Sequence, residues 1–112
     1  MDWLETLKKT FACTALKYTA PIKSSIQRIA WCGGSGSFLI GAAKKQQADV
    51  FLTSDVKYHD FFEADNKLVI VDIGHYESEQ FTVELFAEKI AEKKCNFAVL
   101  KSKHSTNPVN YL

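Results

Sequence analysis

Leu68-Val-Ile-Val-Asp72-Ile-Gly-His75 decides the fold. A continuous apolar run closed by Asp and Gly reads as a strand buried on both faces, the habit of parallel strands sandwiched between helices. Working outward, Val50-Phe-Leu-Thr53 is a second such run, and Ile26–Cys32 ends in a third, with Trp31 placed in the core. Gly33-Gly-Ser-Gly-Ser37 is expected to break that strand. Helical spacing fills the gaps. Asp2 and Glu5 resemble a capping box, and Leu4, Leu7 and Phe11 follow at helical intervals, so Asp2–Thr10 reads as a helix. Phe38–Gln47 reads as another, with Phe38, Leu39, Ala42 and Ala43 on one side. A short helix capped by Ser54 or Asp55 is expected through Phe62. The longest helix is predicted over Glu79–Lys94, with Val83, Phe86, Ala87, Ile90 and Ala91 as its apolar stripe. Its acidic start and its end at Lys93 and Lys94 suit the helix dipole. Short strands are predicted at Ala15–Thr19 and Phe97–Leu100, followed by an irregular tail. This alternation implies an α/β fold: a mixed, largely parallel sheet flanked by helices, in a single domain spanning 1–112.

Composition narrows the function classes. At 46% hydrophobic residues and a net charge of +1, the chain has neither the polarity nor the charge of a disordered one. Fourteen Lys+Arg against thirteen Asp+Glu leave no basic excess for nucleic acid. No apolar run is long enough to span a membrane, and Met1-Asp-Trp-Leu-Glu lacks the basic start of a signal peptide. Cys13, Cys32 and Cys95 are widely spaced and odd in number, which reads as a reduced, cytoplasmic protein.

Three polar constellations follow the apolar runs, where open α/β sheets place their ligands. Gly33, Gly34, Ser35 and Gly36, leading to Ser37, form either an anion cradle or a tight turn capped by serine. Asp55-Val-Lys-Tyr-His59 offers Asp55 and His59 as catalytic groups, with His59 a candidate proton shuttle; the alternative is a helix cap and a turn residue. His75 and Glu79 are four residues apart, so on a helix an imidazole nitrogen and a carboxylate oxygen can reach one divalent ion; the alternative is an ordinary capped helix start. That donor pair suits Zn, Mn, Fe or Co, and Asp72 is placed to orient it. Cys32 reads as a small buried residue and His104 as a solvated one.

The segments CGGSGSFL, LTSDVKYHDFF, VDIGHYESEQFTVELF and TNPVNYL occur in that order. Together they resemble the C-terminal part of the NGG-interacting-factor-three family, also known as GTP cyclohydrolase type two-like. The likeness runs from the helix at Trp3 to Asn107-Pro108. It implies a dinuclear metal hydrolase-like α/β protein that assembles as a homohexameric ring, with a nucleotide such as GTP as ligand. His75 and Glu79 match its C-terminal metal ligands, Asp55, Tyr58 and His59 line the same cavity, and Gly33–Ser37 match its glycine-rich turn. The family's other ligands, a His-His pair and an Asp, have no counterpart here, and the sequence holds no His-His dipeptide. The chain is therefore expected to be a C-terminal fragment, inert by itself. A regulatory scaffold with a structural metal is the alternative.

Overall fold

The computed structural model describes residues 2–94, 96 and 98–112. Four strands form one sheet: β1 (Lys17–Tyr18), β2 (Ile29–Ser35), β3 (Val50–Ser54) and β4 (Val69–Asp72), in the order β1-β4-β3-β2. β2, β3 and β4 run parallel, and β1 pairs with β4 antiparallel. The register sets Val50, Phe51 and Leu52 beside Val69, Ile70 and Val71. The sheet is thus mixed and largely parallel, as the apolar runs imply.

Strand alternation splits the core in two. Val50, Leu52, Val69 and Val71 face α1 (Asp2–Thr10), where Leu4 and the following Phe11 complete a buried cluster with Cys13 and Ile73. Phe51 and Ile70 face the opposite way, against Ile40 and Ala43 of α2 (Ile40–Lys45) and Ala64 of a 3₁₀ helix over Tyr58–Ala64. Every residue of β3 and β4 is buried. Two further helices follow: the short α3 (His75–Glu79) and α4 (Thr82–Lys93), the longest among the described residues.

Five expectations are corrected. β2 does not stop at Cys32. It continues through Gly33 and Gly34 to Ser35, with a register shift between Trp31 and Ser35. Gly34 takes a φ of +66° in that irregular stretch, which a glycine adopts without strain. Trp31 is not core. It is 62% exposed on this edge strand and meets only the rim of the α1 cluster, edge-on to Phe11 at 5.8 Å. The helix predicted over Phe38–Gln47 opens as a 3₁₀ turn, Ser37–Leu39, that leaves Phe38 exposed. The helix predicted over Glu79–Lys94 starts only at Thr82, because the chain turns at Gln80–Phe81, and Glu79 instead closes α3. Its stripe is not packed: Val83, Phe86 and Ile90 are about half exposed or more. Of the strand expected at Phe97–Leu100, Ala98–Leu100 is not extended into the sheet; Phe97 and Cys95 lie outside the described residues.

Candidate metal-binding site

The carboxyl ends of the three parallel strands converge. β2 ends on Ser35, paired in register with Ser54 at the end of β3, and Asp55 comes next. β4 ends on Asp72, and three residues later His75 opens α3. Asp72 shapes that turn. Buried to 2% exposure, its carboxylate accepts from the backbone N–H of Gly74 at 3.0 Å and of Val56 at 3.1 Å, and pairs with Lys17 Nζ at 2.6 Å. It therefore fixes the loops that carry both Asp55 and His75.

Asp55 and His75 meet directly. His75 Nδ1 lies 2.6 Å from Asp55 Oδ2, and the Ser35 hydroxyl donates to the same oxygen. The other ring nitrogen, Nε2, faces Glu79 Oε2 at 3.4 Å, one helical turn on. The Ser35 and His75 bonds hold the Asp55 carboxyl below its ordinary 3.8. The Asp55 bond raises His75 above its ordinary 6.5, against a smaller desolvation effect. Both side chains are half exposed, so solvent screens the pair.

Gly34 makes room for this arrangement. A Cβ there would stand 2.7 Å from Glu79 Oε1 and 3.5 Å from His75 Nε2. Its backbone is already engaged: its N–H donates to Ser78 Oγ at 2.8 Å, and its carbonyl accepts from Thr53 Oγ1 at 3.0 Å. That N–H is therefore not free for a phosphate. Gly36 is held just as closely, against Thr53 and Cys32.

A cavity of about 500 Å³ opens beside the cluster. Asp55, His75, Glu79 and Lys17 line it on the strand side, and Asn107 and Tyr111 of the tail line it on the other. His59 is elsewhere. It is exposed on the 3₁₀ helix, edge-on to Tyr58 with ring centres 5.3 Å apart, and it does not line this cavity. Tyr58 likewise stands clear of it. The bond of Ser78 to Gly34 and the pairing of Lys17 with Asp72 were not legible beforehand. They span 44 and 55 residues of sequence, and no local spacing announces them.

His75 Nε2 and the Glu79 carboxylate are chemically suited to a borderline divalent ion. They are two donors, and among the described residues no group of three or more His, Cys, Asp or Glu is gathered for an ion. The fit is that of part of a site.

The Duf34/NIF3 (NGG1p interacting factor 3) family profile matches residues 1–108. The chain belongs to this family. A "GTP cyclohydrolase 1 type 2 homolog" of Campylobacter jejuni is 36% identical over 111 residues, covering 98% of this chain and 42% of the relative. Its counterpart in Clostridium perfringens is 31% identical and is covered to 44%. A crystal structure of the Staphylococcus aureus protein SA1388 superposes with a TM-score of 0.82 at 30% identity, over 99% of this chain and 38% of that one. A Bacillus cereus protein related to NIF3 gives 0.80 at 27% identity, over 32% of its length. This family member thus spans less than half the length of these relatives. No helix among its described residues is long and apolar enough to cross a membrane.

Proposed function

We propose that this chain contributes His75 and Glu79 to a divalent-metal site used for hydrolysis, with further ligands supplied from outside the chain. The observation that supports this most is the approach of His75 Nε2 to Glu79 Oε2, 3.4 Å, over a glycine whose missing side chain leaves the space. A divalent ion in such a site supplies Lewis acidity and an activated water. With two donors the chain alone holds an ion weakly and is inert. A GTP-like nucleotide as substrate rests on the names of the relatives, and a cytoplasmic setting on cysteine usage. His59 stands apart from the cluster, and the reading does not use it.

Zinc titrated onto the purified chain tests this. Weak binding is expected, lost in both His75→Ala and Glu79→Ala, with no GTP turnover by any of the three. Binding unchanged in both variants, or absent from the unaltered chain, overturns the ligand assignment.

An assembly role is the second reading, and the exposed apolar face of α4 favours it. Val83, Phe86 and Ile90 are each about half exposed or more. A second copy of the chain covering them would make the site part of a scaffold.

A further inference from the structure

We propose that Asp55 is the positioning residue for His75. It holds the proton on Nδ1 and so presents the lone pair of Nε2 to a divalent ion beside Glu79. The proposal rests on the metal reading above and deepens it. Its basis is that three neighbouring parallel strands each deliver one member of a hydrogen-bonded chain. Ser35 from the end of β2 donates to Asp55 Oδ2 after β3, and the same oxygen receives His75 Nδ1–H at the start of α3.

Each link in that chain has one polarity. A carboxylate only accepts, so Ser35 must donate its hydroxyl proton and His75 must carry hydrogen on Nδ1. The tautomer of a histidine is set by the partner of its other nitrogen. In the neutral ring Nε2 is then an acceptor facing a second acceptor, Glu79 Oε2, at 3.4 Å, whereas the imidazolium donates to that oxygen, so a proton and a divalent ion compete for Nε2. Two acceptors that close repel unless a cation lies between or beside them. A carboxylate behind a ligating imidazole, fixing its tautomer and ring plane, is the usual outer support of metal-bound histidine.

The backbone at Asp55 fits the same role. Its φ of +55° lies in the left-handed region, uncommon outside glycine. That turn comes directly after the buried end of β3, where Ser54 is fully buried. It carries the Asp55 carboxylate back toward the neighbouring strand ends, where both Ser35 and His75 reach it. Asp72, by contrast, is committed to Lys17 and to backbone N–H groups, and it has no hydrogen bond to the imidazole.

Asp55→Gly tests this cleanly, because glycine adopts the positive φ without strain. Asp55→Asn is the conservative companion, since its amide oxygen still accepts from Nδ1. Two readouts are taken on the full chain: the His75 tautomer by nitrogen-15 NMR of the neutral ring without metal, and zinc affinity by competition with a chelating dye. The unaltered chain should show the Nδ1–H form. Asp55→Gly should show mixed tautomers and an affinity lower by about 10–100-fold, and Asp55→Asn should recover most of both. An Nε2–H ring in the unaltered chain, or a tautomer and an affinity that Asp55→Gly leaves unchanged, overturns the proposal. Zinc binding indifferent to His75→Ala would instead sink the metal reading, and the NMR readout would then decide the role of Asp55 by itself.

Discussion

β3 with β4 on one side and α4 on the other carry six apolar residues each and end in opposite environments. All nine positions of the two strands are buried, whereas no residue of α4 is. The strands need no orientation to be right, because helices cover both faces of the sheet and any apolar side chain finds a core. A helix buries one stripe, and that stripe needs something on the correct side. An apolar run therefore reports its own burial, and an amphipathic helix reports only what it requires.

Phe51→Ala offers the sharpest way to break this comparison. Phe51 is 2% exposed, in the cluster of Ile40, Leu68 and Ile70. Its truncation removes a large ring and leaves a cavity, so a loss of about 3–5 kcal/mol in chemical denaturation is expected. A loss under about 1 kcal/mol would mean that the α2 side of the sheet is loosely packed, and the contrast with α4 would dissolve.

The polar cluster sits where the buried strands end and the exposed helices begin, and its effect should be intermediate. The folded chain raises His75, so the pair's contribution is complete below the ordinary 6.5 and fades as pH rises through the higher folded value. It lowers Asp55, so the contribution is complete above the ordinary 3.8 and fades as pH falls through the lower folded value. The stability difference between the chain and Asp55→Asn should therefore be greatest between pH 3.8 and 6.5 and shrink on both sides. Half exposure limits it to about 0.2–1 kcal/mol, and added salt should reduce it. Urea midpoints across pH measure this; a difference that is flat with pH would show that the His75–Asp55 contact is not formed in solution.

What the sequence made legible follows the same division. Leu68–Asp72 and Val50–Thr53 were readable because buried parallel strands carry their signal in every residue. Asp2–Thr10 was readable because its acidic first turn and its apolar stripe agree. The continuation of β2 through Gly33 and Gly34 was not, since it depends on Ser78 and Thr53 holding Gly34 from distant parts of the chain. For the site, the His75–Glu79 spacing was visible because helical neighbours are set by local geometry. The pairing of Asp55 with Ser35 and His75 was hidden, as each partner lies 20 residues away and only strand order brings them together. Trp31 misled because an apolar residue beside core residues is core only if its strand is central, and strand order is not written in the strand.

The smallest stability effect belongs to α4, and it separates a helix that is merely exposed from one that is meant to be covered. Phe86 is 64% exposed, so Phe86→Ala should change the stability of the dilute monomer by no more than about 0.5 kcal/mol. Each large apolar side chain on that face would gain about 1.5–3 kcal/mol if fully buried. Val83, Phe86 and Ile90 share one side of the helix, so a second copy laid along it would collect several such terms together. Phe86→Glu would then place a charge in the contact. Light scattering over a concentration series should show self-association of the unaltered chain, weakened by Phe86→Glu, while urea midpoints at low concentration stay within that narrow range. A chain that remains monomeric at all concentrations would leave α4 without a self-partner and end the assembly reading. A large loss of monomer stability in Phe86→Ala would place α4 with β3 and β4, as packed core.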